Sequence, residues 1–126
     1  MLLDSDGTRV RHMVDCAVQV LSFIEGRTRG DLDTDYPLQH LVIRNLEIIG
    51  EAASKISRGF RAEHPAVPWR DIVDMRNRLV HVYFDIDLDI IWATARELLP
   101  ELLVQLRAIM RELDSGEGAS REEQCP

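Results

Sequence analysis

Apolar residues recur at spacings of three and four along four stretches of the chain, which is the periodicity of amphipathic helices. The stretches cover approximately residues 7–24, 37–58, 69 to the low 80s, and 88–113. Acidic and apolar residues alternate at 84–89, but a single strand there would have no partner. A turn with Asp87 as the N-cap of the last helix fits better. The pattern therefore predicts an all-α fold of four main helices, packed as antiparallel neighbours.

Prolines and polar runs predict where these helices stop. Residues 26–37 form a polar connection with one helical turn around Leu32, and residues 60–68 contain two prolines and are predicted to be a loop. Pro100 must kink or divide the last helix, since it removes a backbone hydrogen bond. Residues 114–126 lack a core pattern and are predicted to be a disordered tail. The chain is thus predicted to be a single helical domain over residues 1–113.

The second stretch has the broadest apolar face, which predicts a central helix in contact with more than one neighbour. Gly50 interrupts this stretch, where glycine destabilises a helix by about 1 kcal/mol relative to alanine. Together with Ala52, Ala53 and Ser54 it forms a patch of small residues. We interpret this patch as a place where another helix packs closely, in preference to a ligand site.

Charge changes this picture in one region. The net charge is −7, so the surface as a whole is not typical of a nucleic-acid-binding protein. Residues 55–84 nevertheless contain six basic and three acidic residues, a local charge of +3 against −10 for the remaining chain. The surplus surrounds the third helix. It is either chance clustering or a sign of anion binding, and charge alone leaves both open.

The cysteines and the hydropathy favour a cytoplasmic protein. Cys16 and Cys125 form neither a disulfide framework nor a metal-ligand spacing. The N-terminus has no signal pattern, and no apolar run approaches the length of a membrane span. A reduced, cytosolic setting is therefore expected.

One segment near the end of the third helix combines groups that could cleave a phosphodiester without a metal ion. Attack by a 2′-OH needs a base, an acid for the leaving oxygen, and a cation for the phosphorane charge. His81 can fill one of the first two roles, and Arg76 can hold the phosphate. Asn77 can orient the histidine or donate to a phosphate oxygen, and Tyr83 can stack or hydrogen-bond. Each chain has one such histidine, so a two-histidine mechanism would need a dimer.

A helical wheel places Arg76 at the centre of the apolar stripe of the third helix. An arginine there is unfavourable unless it is paired, or faces a pocket or a subunit interface. Glu47 and Glu51 of the preceding helix are the candidates for an ion pair. The spacing leaves a structural pair and a functional site equally open.

The same residues resemble a known family. The Arg76-x4-His81-x-Tyr83 pattern is similar to the Arg-x4-His-x-Tyr motif of HepT-type toxins of the HEPN superfamily, the toxins of type VII HepT/MntA systems. Similarity extends over about residues 8–113. It includes segments of the central helix, of the entry to the motif helix and of the last helix, namely 46–53, 68–72, 90–92 and 99–102.

The resemblance implies a HEPN-type antiparallel helical bundle that acts as a metal-independent endoribonuclease without a cofactor. It implies a homodimer in which two motif helices face each other across a cleft. Arg76 and His81 would be the catalytic residues and Asn77 a supporting polar residue. The implied partner is a minimal nucleotidyltransferase antitoxin, which attaches AMP to Tyr83.

Two other functions remain open from the sequence. The chain could be a non-catalytic helical binding subunit of a minimal nucleotidyltransferase, with Arg76 in a structural ion pair. It could also be a plain dimerisation module. Neither predicts cleavage of a nucleic acid.

Overall fold

A computed structural model of the chain describes residues 5–81 and 87–124, with the side chains of residues 80–81 and 116–124 left out of the description. Within these ranges the regular elements are helices, and the all-α prediction is confirmed. The helices are α1 (Asp6–Ile24), α2 (Arg29–Thr34), α3 (Tyr36–Ser54), α4 (Arg58–Glu63), α5 (Trp69–His81), α6 (Leu88–Ala93) and α7 (Leu99–Gln124). A π-helical stretch, Thr94–Leu98, lies between α6 and α7. The four main helices of the prediction correspond to α1, α3, α5 and the α6–α7 region.

Helix α3 is central, as predicted, because it packs against both α1 and α5. Helix α1 also packs against α7 and so completes the bundle. At one end the Asp6 carboxylate accepts hydrogen bonds from the backbone N–H and the hydroxyl of Ser57, at 2.9 and 2.6 Å. Ser57 lies three residues after the end of α3. The contact therefore brings the start of α1 to the end of α3, so the two helices run antiparallel. Buried aliphatic side chains from all four main helices form one continuous core.

Side-chain caps set the start of several helices. The Ser5 hydroxyl accepts a hydrogen bond from the N–H of Thr8 at 3.1 Å and begins α1. Gly26, with a φ of +74°, follows its end. Asp87 accepts from the N–H of Asp89 at 2.9 Å, so the prediction that it caps the last helical region is confirmed.

The prediction for residues 55–68 was wrong in two respects. Helix α3 ends at Ser54 and not at residue 58, and residues 60–63, which were predicted to be loop, belong to the short helix α4. The Ser57 hydroxyl accepts from the N–H of Phe60 at 3.2 Å and caps α4. Arg61 donates to the carbonyl of Ala53 at 2.7 Å, near the end of α3. The prolines at 65 and 68 dominated the prediction, whereas this cap and this tertiary contact decide the local structure.

Pro100 divides the last helical region, as predicted. The π-helical stretch Thr94–Leu98 ends just before Leu99 and Pro100. The proline ring would clash with the carbonyl four residues earlier, at Arg96, in a regular α-helix. Widening the backbone to a π-helix at this point avoids that clash, which explains why the helix changes geometry here.

Helical backbone continues in α7 to Gln124, beyond residue 113. Among the described side chains of α7, Met110 and Leu113 pack at the edge of the core. A helix can propagate past its packed part because each added residue gains a hydrogen bond without tertiary contacts. The domain limit at 113 and the disordered tail remain predictions. In the described ranges, none of the helices has the length and hydropathy needed to span a membrane.

Candidate active site

Helix α5 is anchored at its start by Trp69. The Trp69 side chain is buried, and its indole N–H donates to the carbonyl of His64 at 3.0 Å. Further along, Ile72 and Leu79 are also buried against the core. Arg76 lies one turn from each of them, so the helix face that packs on the bundle includes Arg76. The wheel-based placement of this arginine is confirmed.

Gly50 of α3 lies directly against Arg76. A Cβ atom added at Gly50 would lie 2.0 Å from Cβ of Arg76, 2.6 Å from its Cγ and 3.2 Å from its Cα. These separations leave no space for any side chain, so only glycine permits this approach of α3 and α5. The interpretation of the small-residue patch as a close helix contact is therefore confirmed at Gly50, whereas Ala52 of the same patch lines a cleft.

Arg76 is held by two neighbours. Its Nη2 atom donates to Oε2 of Glu51 at 2.5 Å, and its Nη1 atom donates to Oδ1 of Asn77 at 2.9 Å. Of the two glutamates proposed as partners, Glu51 is therefore the one that pairs. The Arg76 side chain remains 31% exposed and that of Glu51 43% exposed, so the pair is not buried. Ion pairing and access to a ligand thus coexist at this arginine.

Glu51 also binds a second cation. The Lys55 ammonium lies 3.3 Å from Oε1 of Glu51. The hydrogen bond from Lys55, followed by the positive charge of Arg76, holds the pKa of Glu51 below its ordinary value. The carboxylate is consequently ionised at neutral pH and fixes two cations at the edge of one cleft.

This cleft, which we call the Arg76 cleft, has a volume of about 370 Å³. Helices α1, α3 and α5 form it, and its lining residues are Arg9, His12, Arg44, Glu47, Ile48, Glu51, Ala52, Lys55 and Arg76. Four of these are basic and two are acidic, which gives a local charge of +2 with His12 neutral. The lining is therefore suited to an anion although the chain as a whole is acidic.

Only part of this lining was predictable from the sequence. Lys55 and Arg76 belong to the predicted basic surplus, whereas Arg9, His12 and Arg44 come from outside it. The spacing of three between Arg9 and His12 places both on one face of α1. That signal was present in the sequence, but it could not show which helix would lie opposite.

A larger cavity of about 870 Å³ lies on the other side of α5. It is bounded mainly by α5, α6 and the π-helical stretch, and Arg78 is among its lining residues. Asp71, Asp74 and Asp87 also line it. Since Arg76 does not line this cavity and three carboxylates do, it is less suited to a phosphodiester. Three of the six basic residues of the predicted surplus therefore line these two cavities, Lys55 and Arg76 in one and Arg78 in the other.

The structure describes two of the four predicted site residues completely. Arg76 and Asn77 are hydrogen-bonded to each other on α5. His81 is the last residue of α5. At 1.5 Å per residue, its backbone lies about 7.5 Å along the helix axis from that of Arg76. The His81 side chain and Tyr83 lie outside the described residues. In the described part of the chain, no group of three or more His, Cys, Asp or Glu side chains could hold a metal ion.

Comparisons with known proteins identify the family. The family model described as "Ribonuclease HepT-like" matches residues 13–109. A "Probable ribonuclease HepT" of Thermococcus cleftensis is 41% identical over 88 residues, which are 67% of this chain and 80% of that protein. A "Putative RNase" of Caldanaerobacter subterraneus is 36% identical over 106 residues, 81% of this chain and 95% of that protein. No solved structure matches. The chain therefore belongs to the HepT-like family of ribonucleases.

Proposed function

We propose that this endoribonuclease is the toxin of a toxin–antitoxin pair and cleaves RNA without a metal ion, with Arg76 and His81 as catalytic residues. Membership of a ribonuclease family supports the reaction class. The observation that carries the assignment of the site is Arg76 itself. It is fixed by Glu51 and Asn77, partly exposed, and placed on the wall of a basic cleft.

The proposed reaction is a transesterification within the RNA backbone. The 2′-oxygen bonds to the adjacent phosphorus, the bond from phosphorus to the 5′-oxygen breaks, and a 2′,3′-cyclic phosphate remains. One general base takes the proton of the 2′-OH, and one general acid protonates the leaving 5′-oxygen. His81 fills one of these roles, and Arg76 balances the charge that builds on the phosphorane oxygens. In a homodimer, His81 of the second copy can fill the other role.

This mechanism makes the 2′-OH indispensable. We expect purified protein to cleave a labelled RNA oligonucleotide in the presence of EDTA and to leave its all-2′-deoxy counterpart uncut. Electrophoresis with detection of 2′,3′-cyclic phosphate ends measures both results. Cleavage of the deoxy strand at a similar rate, or loss of activity in EDTA, would contradict the proposed mechanism.

Glu51 has a positioning role in this proposal, because it holds the guanidinium of Arg76. Replacing Glu51 with glutamine should lower kcat/KM about tenfold, an effect equivalent to about 1.4 kcal/mol in the transition state. The thermal midpoint should change little, since exposed ion pairs contribute little stability. Glu47→Gln is the matched control: it makes the same charge change in the same cleft, and Glu51, not Glu47, is the ion-pair partner of Arg76. Equal losses in the two variants would show that charge, not orientation, matters.

Regulation by AMP transfer to Tyr83 is part of the proposal. An adenylyl group two residues from His81 would add bulk and negative charge where the substrate phosphate binds. A minimal nucleotidyltransferase antitoxin is the expected partner, and both proteins are expected to act in the cytoplasm.

Tyr83→Phe tests this regulation. The variant should retain cleavage but resist inhibition when it is incubated with active antitoxin and ATP. Intact-mass measurement should show an added AMP on the wild-type chain and none on Tyr83→Phe. Full inhibition of the unmodified variant would instead indicate control by binding alone.

A second candidate function has one observation in its favour. The Arg76–Glu51 ion pair is what a non-catalytic helical subunit of a nucleotidyltransferase would show. That function predicts no RNA cleavage by the purified chain. The cleavage assay with the RNA oligonucleotide therefore separates the two candidate functions.

A further inference from the structure

The Arg76 cleft extends well beyond the arginine that gives it its name. Along α3, Arg44 and Lys55 both line it and are eleven residues apart. At 1.5 Å per residue this separation is about 16 Å. A nucleic-acid strand carries one phosphate per about 3.4 Å of axis when stacked in a duplex. The cleft is therefore long enough for more phosphates than the one that reacts.

The cations of the cleft differ in their pairing. Arg76 and Lys55 share the carboxylate of Glu51. Arg44 is exposed, and within the described part of the chain it has no ion pair or hydrogen bond. The guanidinium N–H groups of Arg44 can therefore donate to a ligand, and their planar arrangement fits a phosphate group.

Helix α1 supplies the facing wall. Arg9 and His12 line the same cleft as Arg44 and lie on one face of α1. The Asp6–Ser57 hydrogen bonds fix the start of α1 against the end of α3. The antiparallel packing of the two helices therefore places Arg9 and His12 beside Glu51 and Lys55, away from Arg44. Two rigid helices thus present basic and imidazole groups to one groove. Such a concentration of basic groups in one cleft is unexpected in a chain of net charge −7, and anion binding would account for it.

We infer that Arg44 forms a second phosphate subsite that binds the RNA backbone beside the phosphate held by Arg76, while Arg9 and His12 lie on the Arg76 side of the cleft. The inference rests on the proposed function, since it places the scissile phosphate at Arg76. The substrate is accordingly an RNA that extends past the cleaved bond by at least one further phosphodiester. A dinucleotide, which has only the scissile phosphate, lacks the group that this subsite binds.

Binding of RNA by a cleavage-deficient His81→Ala chain tests the subsite directly. The probe is a fluorescein-labelled 12-nucleotide RNA, and Kd is measured by anisotropy over a range of KCl concentrations. Adding Arg44→Ala should weaken binding several-fold and reduce the salt slope by about 0.7, the value for one lost phosphate contact on a single strand. Arg44→Lys should restore most of the slope, since it keeps the charge.

Arg107→Ala is the matched control, because Arg107 is exposed on α7 and does not line the cleft. It should bind with the slope of the parent chain. Kinetics provide a second measurement in the active chain. Arg44→Ala should raise KM for the 12-mer more than it lowers kcat, and should reduce the preference for the 12-mer over a dinucleotide.

The outcomes separate the two proposals. If the wild-type chain cleaves RNA but Arg44→Ala has the salt slope and length preference of Arg107→Ala, the subsite is overturned and the proposed function stands. If the wild-type chain cleaves no RNA, the proposed function fails, and the inference fails with it. Cleavage by wild type together with the loss of slope in Arg44→Ala supports both.

Discussion

Replacing His81 with alanine should reduce RNA cleavage by about 10² to 10⁴-fold, the range that a general acid or base contributes. The reason is chemical: without the imidazole, water must serve in its place as proton donor or acceptor. The same replacement should abolish growth arrest when the chain is expressed. Single-turnover cleavage of labelled RNA gives the magnitude, and circular dichroism shows whether the helices remain.

The matched control is His40→Ala. His40 is an exposed histidine of α3 and does not line the Arg76 cleft, so its replacement should leave cleavage unchanged. Arg76→Lys provides a second comparison at the site. A lysine keeps the positive charge but cannot contact Glu51 and Asn77 with a planar fork, so a large loss is expected there too. A His81→Ala chain that folds and cleaves like wild type would show that His81 is not catalytic.

The helices were predictable from the sequence because their signals are local. Apolar periodicity defined α1, α3, α5 and α7, and proline at position 100 indicated the break that the structure shows as a π-helical stretch. Helix α4 was missed because it depends on the Ser57 cap and on the contact between Arg61 and Ala53, which joins it to α3. A pattern read along the chain does not contain such a contact.

The site was predictable to a different extent. Periodicity placed Arg76 on the packing face and limited its partner to Glu47 or Glu51, but only the packing of α3 on α5 selects Glu51. The contribution of α1 to the cleft was not predictable, since Arg9 and His12 are far from Arg76 in sequence. The proposed catalytic residues Arg76 and His81 are five residues apart in sequence, whereas the cleft proposed to bind the substrate is assembled by the tertiary fold.

Replacing Gly50 with alanine should destabilise the protein, although alanine is the better helix former. The added Cβ would overlap Cβ and Cγ of Arg76 and come within 3.2 Å of its Cα. Because the overlap involves the stem of the side chain and the backbone, rotation of Arg76 cannot relieve it, and α3 and α5 must separate. Overpacking of this kind costs about 1–3 kcal/mol. The gain in helix propensity is about 1 kcal/mol, so it offsets only part of the overpacking.

Urea unfolding followed by circular dichroism measures this change in the free energy of unfolding. Gly59→Ala is the control, since Gly59 lies in α4, has no heavy atom within 4 Å of an added Cβ and should gain stability. Gly50→Ala should also cleave RNA less well than its folded fraction allows, because separation of α3 and α5 displaces Arg76 from Glu51. If Gly50→Ala were as stable as Gly59→Ala, the close approach of the two helices would not be required. Replacement of Gly50 is therefore expected to lower stability and activity together, whereas replacement of His81 is expected to lower activity alone.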